Sequence, residues 1–393
     1  MASLTPREPA SLQERLSALD KLADGVNKKA GKPIMGRIGQ NPEIMEKLKI
    51  KFIPTPGDQI NEAMGGGWPR GRMSLVAGNP DSGKTSLLLE TIAYNMKNPN
   101  FVAGWLESEN SLKKEYICDM FGIDPNRFFF IEADRDGAAE EALDRIQAAI
   151  ATNAFDIVVI NSLKALVPSE EHRKSFNENS IGIQSRLNAK MTRKFTSIVS
   201  ESGAAFVVIT HLSTEIGSMS RDPLIISGGK AIAYASVLTI DLRKRSVLDT
   251  DPITREEGIK IGLTVKKNHC VPDRNPYLKT DYYAIFGEGI EQILTTLELA
   301  VDEGILRKAG AWIKEEDEKG NVVSWNGHEI NFQGKEKFRI FAKEHPEYLE
   351  YLKSKINGTV VEQQTEEEIA LAKEEEKAME EKKLKKKSKK KGA

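Results

Sequence analysis

The run Gly78-Asn79-Pro80-Asp81-Ser82-Gly83-Lys84-Thr85 has the residue types and spacing, G-x-x-x-x-G-K-[ST], that suit a backbone to gripping phosphates. Glycine at both ends lets the chain curl until its N–H groups converge on one anion. The helix expected after it adds the positive end of a dipole. Lys84 has the reach and charge for the β- and γ-phosphates, the Thr85 hydroxyl suits Mg²⁺, and Ser86 follows on the same turn. ATP and Mg²⁺ are the expected ligands.

Other residues fall where such a site could use them. The run Ile157-Val158-Val159-Ile160-Asn161-Ser162 reads as an apolar strand with a polar end, where P-loop ATPases set a carboxylate beside the metal. Asn161 has a carbonyl oxygen there but no charge. Weaker metal affinity is expected, and Asn161→Asp is expected to raise it. Glu107 and Glu109 lie at the end of a strand, the edge where α/β folds bind ligands, and either could orient water toward the γ-phosphate. Arg186, Lys190 and Arg193 form a basic stripe at helical spacing, either a solvated face or a track for a phosphate backbone. Lys267 shares parity with Ile259, Ile261, Leu263 and Val265, and His269 comes next on that parity. An inward lysine needs an anion, either a carboxylate of its own chain or a nucleotide phosphate.

The phosphate loop requires a strand before it and a helix after it, and Met73–Ala77 and Ser86–Tyr94 read that way. From 73 to 211, apolar strands at 73–77, 101–107, 127–132, 155–161 and 204–210 alternate with helices at 84–97, 111–121, 138–151 and 181–202. Ala139, Leu143, Ile146 and Ile150 make one helix face; Ile183, Leu187, Met191, Phe195 and Ile198 make another. Such alternation specifies an α/β fold with a mostly parallel central sheet covered on both sides. Gly217, Gly228 and Gly229 lie in an aperiodic stretch, 213–229, read as a long loop. Strands resume at 236–243, 259–267 and 277–286. Leu12, Leu16, Leu19 and Leu22 place an amphipathic helix in residues 1–30, whose stripe must be covered by its own core or by a neighbouring subunit. The expected division is 1–50 for an N-terminal helix and linker serving oligomerisation, 51–287 for the ATPase core, and 288–357 for a small helical domain with a turn-rich insert at 309–335. The tail 358–393, where glutamates give way to lysines, has too little apolar surface for a core.

At 393 residues, 39% hydrophobic and 29% charged, the composition fits one large core with appendages. The net charge of −1 leaves contact with nucleic acid to local basic surface. Cys118 and Cys270 form neither a metal spacing nor a disulfide framework. No apolar stretch near Arg7 and Glu8 suggests a signal peptide, and no run reaches membrane-spanning length. A cytoplasmic protein is expected, in the host cytoplasm if viral.

Taken in order, these features resemble the RecA family of homologous-recombination ATPases, including phage recombinases of the UvsX type. The resemblance rests on Met73–Thr85, Leu106–Leu112, Tyr116, Gly122-Ile123-Asp124, Val158–Ser162 and Val208-Ile209-Thr210-His211. It continues through Gly228-Gly229, Tyr234–Val237, Val265–Asn268, Gly287–Ile290 and Ala309–Trp312 to the segment 335–356, and so runs from about Gly31 to about Ile356. By that similarity the core is a RecA-like P-loop ATPase, Glu109 polarises water, Tyr116 stacks on adenine and His211 senses the γ-phosphate. Residues 169–180 and 212–229, with Gly228 and Gly229, become DNA-binding loops, and Arg186 and Arg193 match basic positions beside the first. Lys267, followed by His269 where bacterial RecA has lysine, would reach the ATP of the next subunit in a filament. The basic final tail also departs from the acidic tail of bacterial RecA.

The function this implies is an ATP-dependent recombinase that forms filaments on single-stranded DNA and pairs it with homologous duplex. Two alternatives are an ATP-binding structural filament with little hydrolysis, which the uncharged Asn161 would suit, and a RecA-like ring helicase or mediator. Against the latter stand the absent zinc-finger cysteines and the module at 309–356.

Overall fold

The computed structural model describes residues 11–133, 139–175, 182–214, 224–226, 229–248, 258–271, 275–317 and 319–356. The chain divides into two compact units, Met1–Lys244 with Gly262–Thr280 and Arg245–Ile261 with Asp281–Ala393. The tail at 358–393, Gly217, Gly228 and part of each expected DNA-binding loop lie outside the described residues.

The first unit opens with helix α1 (Leu12–Ala30), started by a reciprocal cap between Ser11 and Glu14 and stopped by left-handed Gly31. Leu12, Leu19 and Leu22 are exposed and only Ala23 of the helix is buried, so the stripe read from the sequence lacks a cover within this chain's described residues. The core strands are β1 (Met73–Gly78), β2 (Ala103–Glu107), β3 (Phe128–Glu132), β4 (Ile157–Asn161), β5 (Ala205–Thr214), β6 (Leu224–Ile226), β7 (Leu238–Leu248) and β8 (Gly258–Asn268). Their order in the sheet is β8-β7-β1-β5-β4-β2-β3, with β6 on β5. β1 runs parallel to both β5 and β7, β4 to both β5 and β2, and β2 to β3. The mostly parallel α/β sheet expected from the alternating pattern is therefore present.

The covering helices include α2 (Lys84–Asn95), α3 (Ala139–Ile150) and α4 (Ile183–Ser202). Ala139, Leu143, Ile146 and Ile150 are buried with Leu187, Met191, Phe195, Val158 and Phe206 in one cluster. Phe195 stacks on Phe206 with ring centroids 5.2 Å apart. Each such fully buried side chain contributes about 1.5–3 kcal/mol. Ile198 is only partly buried and Val199 takes its place in the cluster. The segment read as a helix at 111–121 forms a π-helical turn over Glu115–Met120. The long loop read at 213–229 is shorter than expected: β5 continues to Thr214 and pairs antiparallel with β6, Leu212 facing Ile226, which satisfies backbone groups that a free loop would leave to water.

In the second unit, Tyr283, Ala284 and Ile285 pair with β9 (Gly289–Glu291), which runs into helix α5 (Gln292–Asp302). Helices α6 (Gly334–Glu344) and α7 (Pro346–Ile356) complete it. The insert at 309–335 is built from short strands, with Trp312–Lys314 between Arg307–Ala309 and Asn331–Gln333. Leu297, Ile313, Ile330, Phe338, Tyr348 and Leu352 lie together in the core of this unit. No helix among the described residues is long and apolar enough to cross a membrane.

Candidate functional site

β1, β2 and β4 end at one edge of the sheet, and the parallel registers set Gly78 beside His211 and Glu107 beside Asn161. Residues from four strands thus converge where a parallel sheet presents its strand ends. At Gly78 a Cβ would lie 2.4 Å from Ser82 Oγ and 2.6 Å from the Leu242 carbonyl oxygen, so the turn admits no side chain. Gly83, at φ 83°, reverses the chain into α2. Its first residue, Lys84, is 7% exposed and donates from Nζ to the Asn79 carbonyl oxygen at 2.7 Å. Burial pulls the Lys84 pKa below its ordinary value, against the opposing charges of Glu109 and Asp81. A buried ammonium resting on one neutral carbonyl is a group with capacity for an anion.

The carboxylates Glu107 and Glu109 differ sharply. Glu107 is 2% exposed. It accepts from the Trp105 indole N–H at 2.9 Å, the Asn161 amide at 2.8 Å and the Glu109 backbone N–H at 3.0 Å. Glu109 is half-buried, accepts a hydrogen bond from the Ser162 hydroxyl, and meets His211 Nε2 at 2.9 Å. Burial pushes its pKa up, but Ser162, His211 and the charge of Lys84 outweigh burial and hold it below the ordinary range. It is ionised near neutral pH and open on one side. Of the two candidates, Glu109 has the geometry of a base, and Glu107 is enclosed by donors. Ser162 also belongs to this set, and its place next to Asn161 at a strand end is the only mark it carries in the sequence.

Asn161 is fully buried, and its Oδ1 has no hydrogen-bond partner among the described residues. An orphaned buried acceptor suits a metal-bound water. With the Thr85 hydroxyl it fits a Mg²⁺ held mainly by phosphates and water, the arrangement this ion favours. No cluster of three or more histidine, cysteine or acidic residues occurs among the described residues to hold the ion alone. Tyr116 is half-buried on the π-helical turn, its hydroxyl 3.0 Å from Ser86 Oγ and its ring edge-on to Phe121, so a serine in the first turn of α2 ties it to the end of the phosphate loop.

The remaining sequence candidates are spread more widely. Lys267 donates to the carbonyl oxygens of Ala233 and Tyr234 at 3.0 and 2.8 Å, the last turn of the helix Lys230–Ala235, and burial lowers its pKa. Its described partners are helix-end carbonyls, not the carboxylate that the parity argument allowed. His269 is exposed. Arg186 donates from Nη2 to both carboxylate oxygens of Glu170, at 2.8 and 3.0 Å in an exposed pair, and Arg193 and Lys190 are exposed on the same helix. Gly229 caps Lys230–Ala235 at φ 84°; Gly228 is outside the described residues.

Comparison with known proteins places the chain in a family. The family model described as the RecA N-terminal domain matches residues 17–291. Protein RecA of Thermus aquaticus is 30% identical over 348 residues, covering 88% of this chain and 94% of its own length. Protein RecA of Corynebacterium urealyticum is 31% identical over 358 residues, covering 91% and 90%. A crystal structure of the RadB recombinase superposes with a TM-score of 0.47 at 16% identity, over 62% of this chain and all of that one. With the family model spanning well over half its residues and relatives matching almost end to end, the chain belongs to the RecA family, as a P-loop, DNA-dependent ATPase and recombinase.

Proposed function

We propose that this protein hydrolyses ATP with Mg²⁺ while assembled as a helical filament on single-stranded DNA, and pairs that strand with homologous duplex. The observation carrying the reading is the convergence of Lys84, Glu109, Ser162 and His211 on the strand-end edge that holds the phosphate loop. Residues Gly78 to Ser86 bind the phosphates, with Lys84 leaving the Asn79 carbonyl for the β- and γ-oxygens, and Tyr116 stacks on the base. Thr85 and Asn161 would hold Mg²⁺, which would supply neutralisation of phosphate charge. Glu109, ionised and fixed by Ser162 and His211, accepts the hydrogen bond of the attacking water. His211 shares that carboxylate, and β5 leads from it toward the second DNA-binding loop. A change at the γ-phosphate thereby reaches the DNA grip. Arg186 and Arg193, with Gly228 and Gly229, contact the DNA backbone. Residues 1–50 serve oligomerisation, an assignment supported by the uncovered leucines of α1. Lys267 and His269 act on the nucleotide of the adjoining subunit.

Mixing mutants tests the assembly. Lys84→Ala and Lys267→Ala should each be nearly inactive. Mixed equally with random assembly, roughly a quarter of interfaces would combine intact Lys84 with intact Lys267, and DNA-dependent hydrolysis should partly return. A mixture as inactive as either mutant, in demonstrably mixed filaments, contradicts the shared site.

A further inference from the structure

We infer that Glu107 is a positioning residue, fixing both Asn161 and the backbone of Glu109 from one buried carboxylate. The inference rests on the reading of Glu109 as the residue that orients water. A carboxylate 2% exposed is tolerable only if donors meet both oxygens. Oε2 accepts from Trp105 Nε1 at 2.9 Å and Asn161 Nδ2 at 2.8 Å. Oε1 accepts from the Glu109 N–H at 3.0 Å and, more weakly, from Ser111 N and Oγ at 3.5 and 3.4 Å. The pairing with Asn161 follows from register, because residues 107 and 161 are opposite each other on adjacent parallel strands.

Asn161 is thereby more than a weakened acid. Its amide nitrogen is the donor that Glu107 requires, and the same bond turns Oδ1 away as the group left without a partner among the described residues. An aspartate at 161 would set acceptor against acceptor at the 2.8 Å contact. The carboxamide and Glu107 work as a matched pair. Through the Glu109 N–H that pair fixes where the Glu109 carboxylate starts, and a misplacement of about 1 Å in such a group costs on the order of 10²-fold in rate.

The test uses the full chain with Glu107→Gln, Glu107→Asp, Asn161→Asp and the double variant Glu107→Gln/Asn161→Asp. Three quantities are read: kcat of DNA-dependent ATP hydrolysis, Kd for a fluorescent ATP analogue, and hydrogen exchange of the peptide 105–111 in the protein alone. Glu107→Gln should keep Kd within about threefold, lose at least about tenfold in kcat, and exchange faster at the Glu109 amide. Asn161→Asp should also lower kcat, and adding Glu107→Gln to it should restore part of the loss, because amide and carboxylate then face each other with roles exchanged. Glu107→Asp keeps the charge but withdraws the acceptor, and carries the test if Glu107→Gln does not fold. A kcat within about twofold of wild type in either Glu107 variant, with Glu109→Gln inactive, overturns the positioning role and leaves the reading of Glu109 standing. Hydrolysis by Glu109→Gln itself overturns both. Asn161→Asp at or above the wild-type kcat overturns the matched pair.

Discussion

Glu107 apart, the strand-end edge of the first unit and the interior of the second handle buried charge in opposite ways. In the second unit, Arg339 is 2% exposed and divides its guanidinium between Glu291 at 3.0 Å and Glu288 at 2.8 Å. Glu315, also 2% exposed, accepts from Tyr348, Tyr351 and Lys355 at 2.9, 3.1 and 2.7 Å. Glu298 is shared by Lys260, Lys335 and Tyr283. At the strand-end edge, by contrast, and among the described residues, Lys84 rests on a single carbonyl, Asn161 Oδ1 is an orphan, and Glu109 is only half-buried. Saturated charges hold a fold together. Charges with spare capacity await a ligand, and the contrast separates a structural network from a site.

That contrast can be broken from either side. The largest effect is expected from Glu109→Gln, which keeps shape and loses the base: hydrolysis should fall by about 10²–10⁴-fold while ATP binding and filament assembly persist. Single-turnover hydrolysis beside an assembly assay checks it, and unchanged turnover would move the role elsewhere. Lys84→Ala should weaken nucleotide binding by about 10²-fold or more without lowering the melting temperature, since the fold does not depend on this charge. Arg339→Ala should do the reverse. It leaves two carboxylates without their cation and should cost the second unit about 3–5 kcal/mol in denaturant unfolding, with nucleotide Kd intact.

The smallest effect sharpens the comparison through pH. Burial alone would raise the Glu298 pKa, but Lys260, Lys335 and Tyr283 outweigh it and bring it down to about 2. With the folded value below the unfolded one, this contribution is fully present above pH 4.5 and is lost as pH falls from there through about 2. Its size is ~2 kcal/mol after discounting for partial exposure. Glu298→Gln should flatten the acid limb of the stability curve in that window, and an unaltered limb would show the network to be weak.

Much of the nucleotide edge could be read from the chain because it is local. The phosphate loop is one continuous run, and strands β1 to β5 and helices α2 to α4 announce themselves by short apolar runs and helical periods. The meaning of Asn161 was not local. Its partner Glu107 is 54 residues away, and only strand register joins them. The residue type of Asn161 bears only on Mg²⁺ affinity, which an aspartate is expected to raise; beside Glu107 the same replacement carries a second expectation, a loss of kcat. The insert at 309–335 hid its strands for a related reason, since two- and three-residue strands carry no period. Arg339 was hidden too, because a charged residue on an amphipathic helix is ordinarily solvated, and only tertiary packing buries it.

In the proposed function, ATP turnover at the strand-end edge is coupled to DNA. The most direct measurement is the steady-state rate of phosphate release by the full chain with Mg²⁺, with and without single-stranded DNA. DNA should raise the rate by at least about tenfold, a barrier change of ~1.4 kcal/mol, and Glu109→Gln should abolish the increase. A rate indifferent to DNA, in protein that binds both nucleotide and DNA, would contradict it.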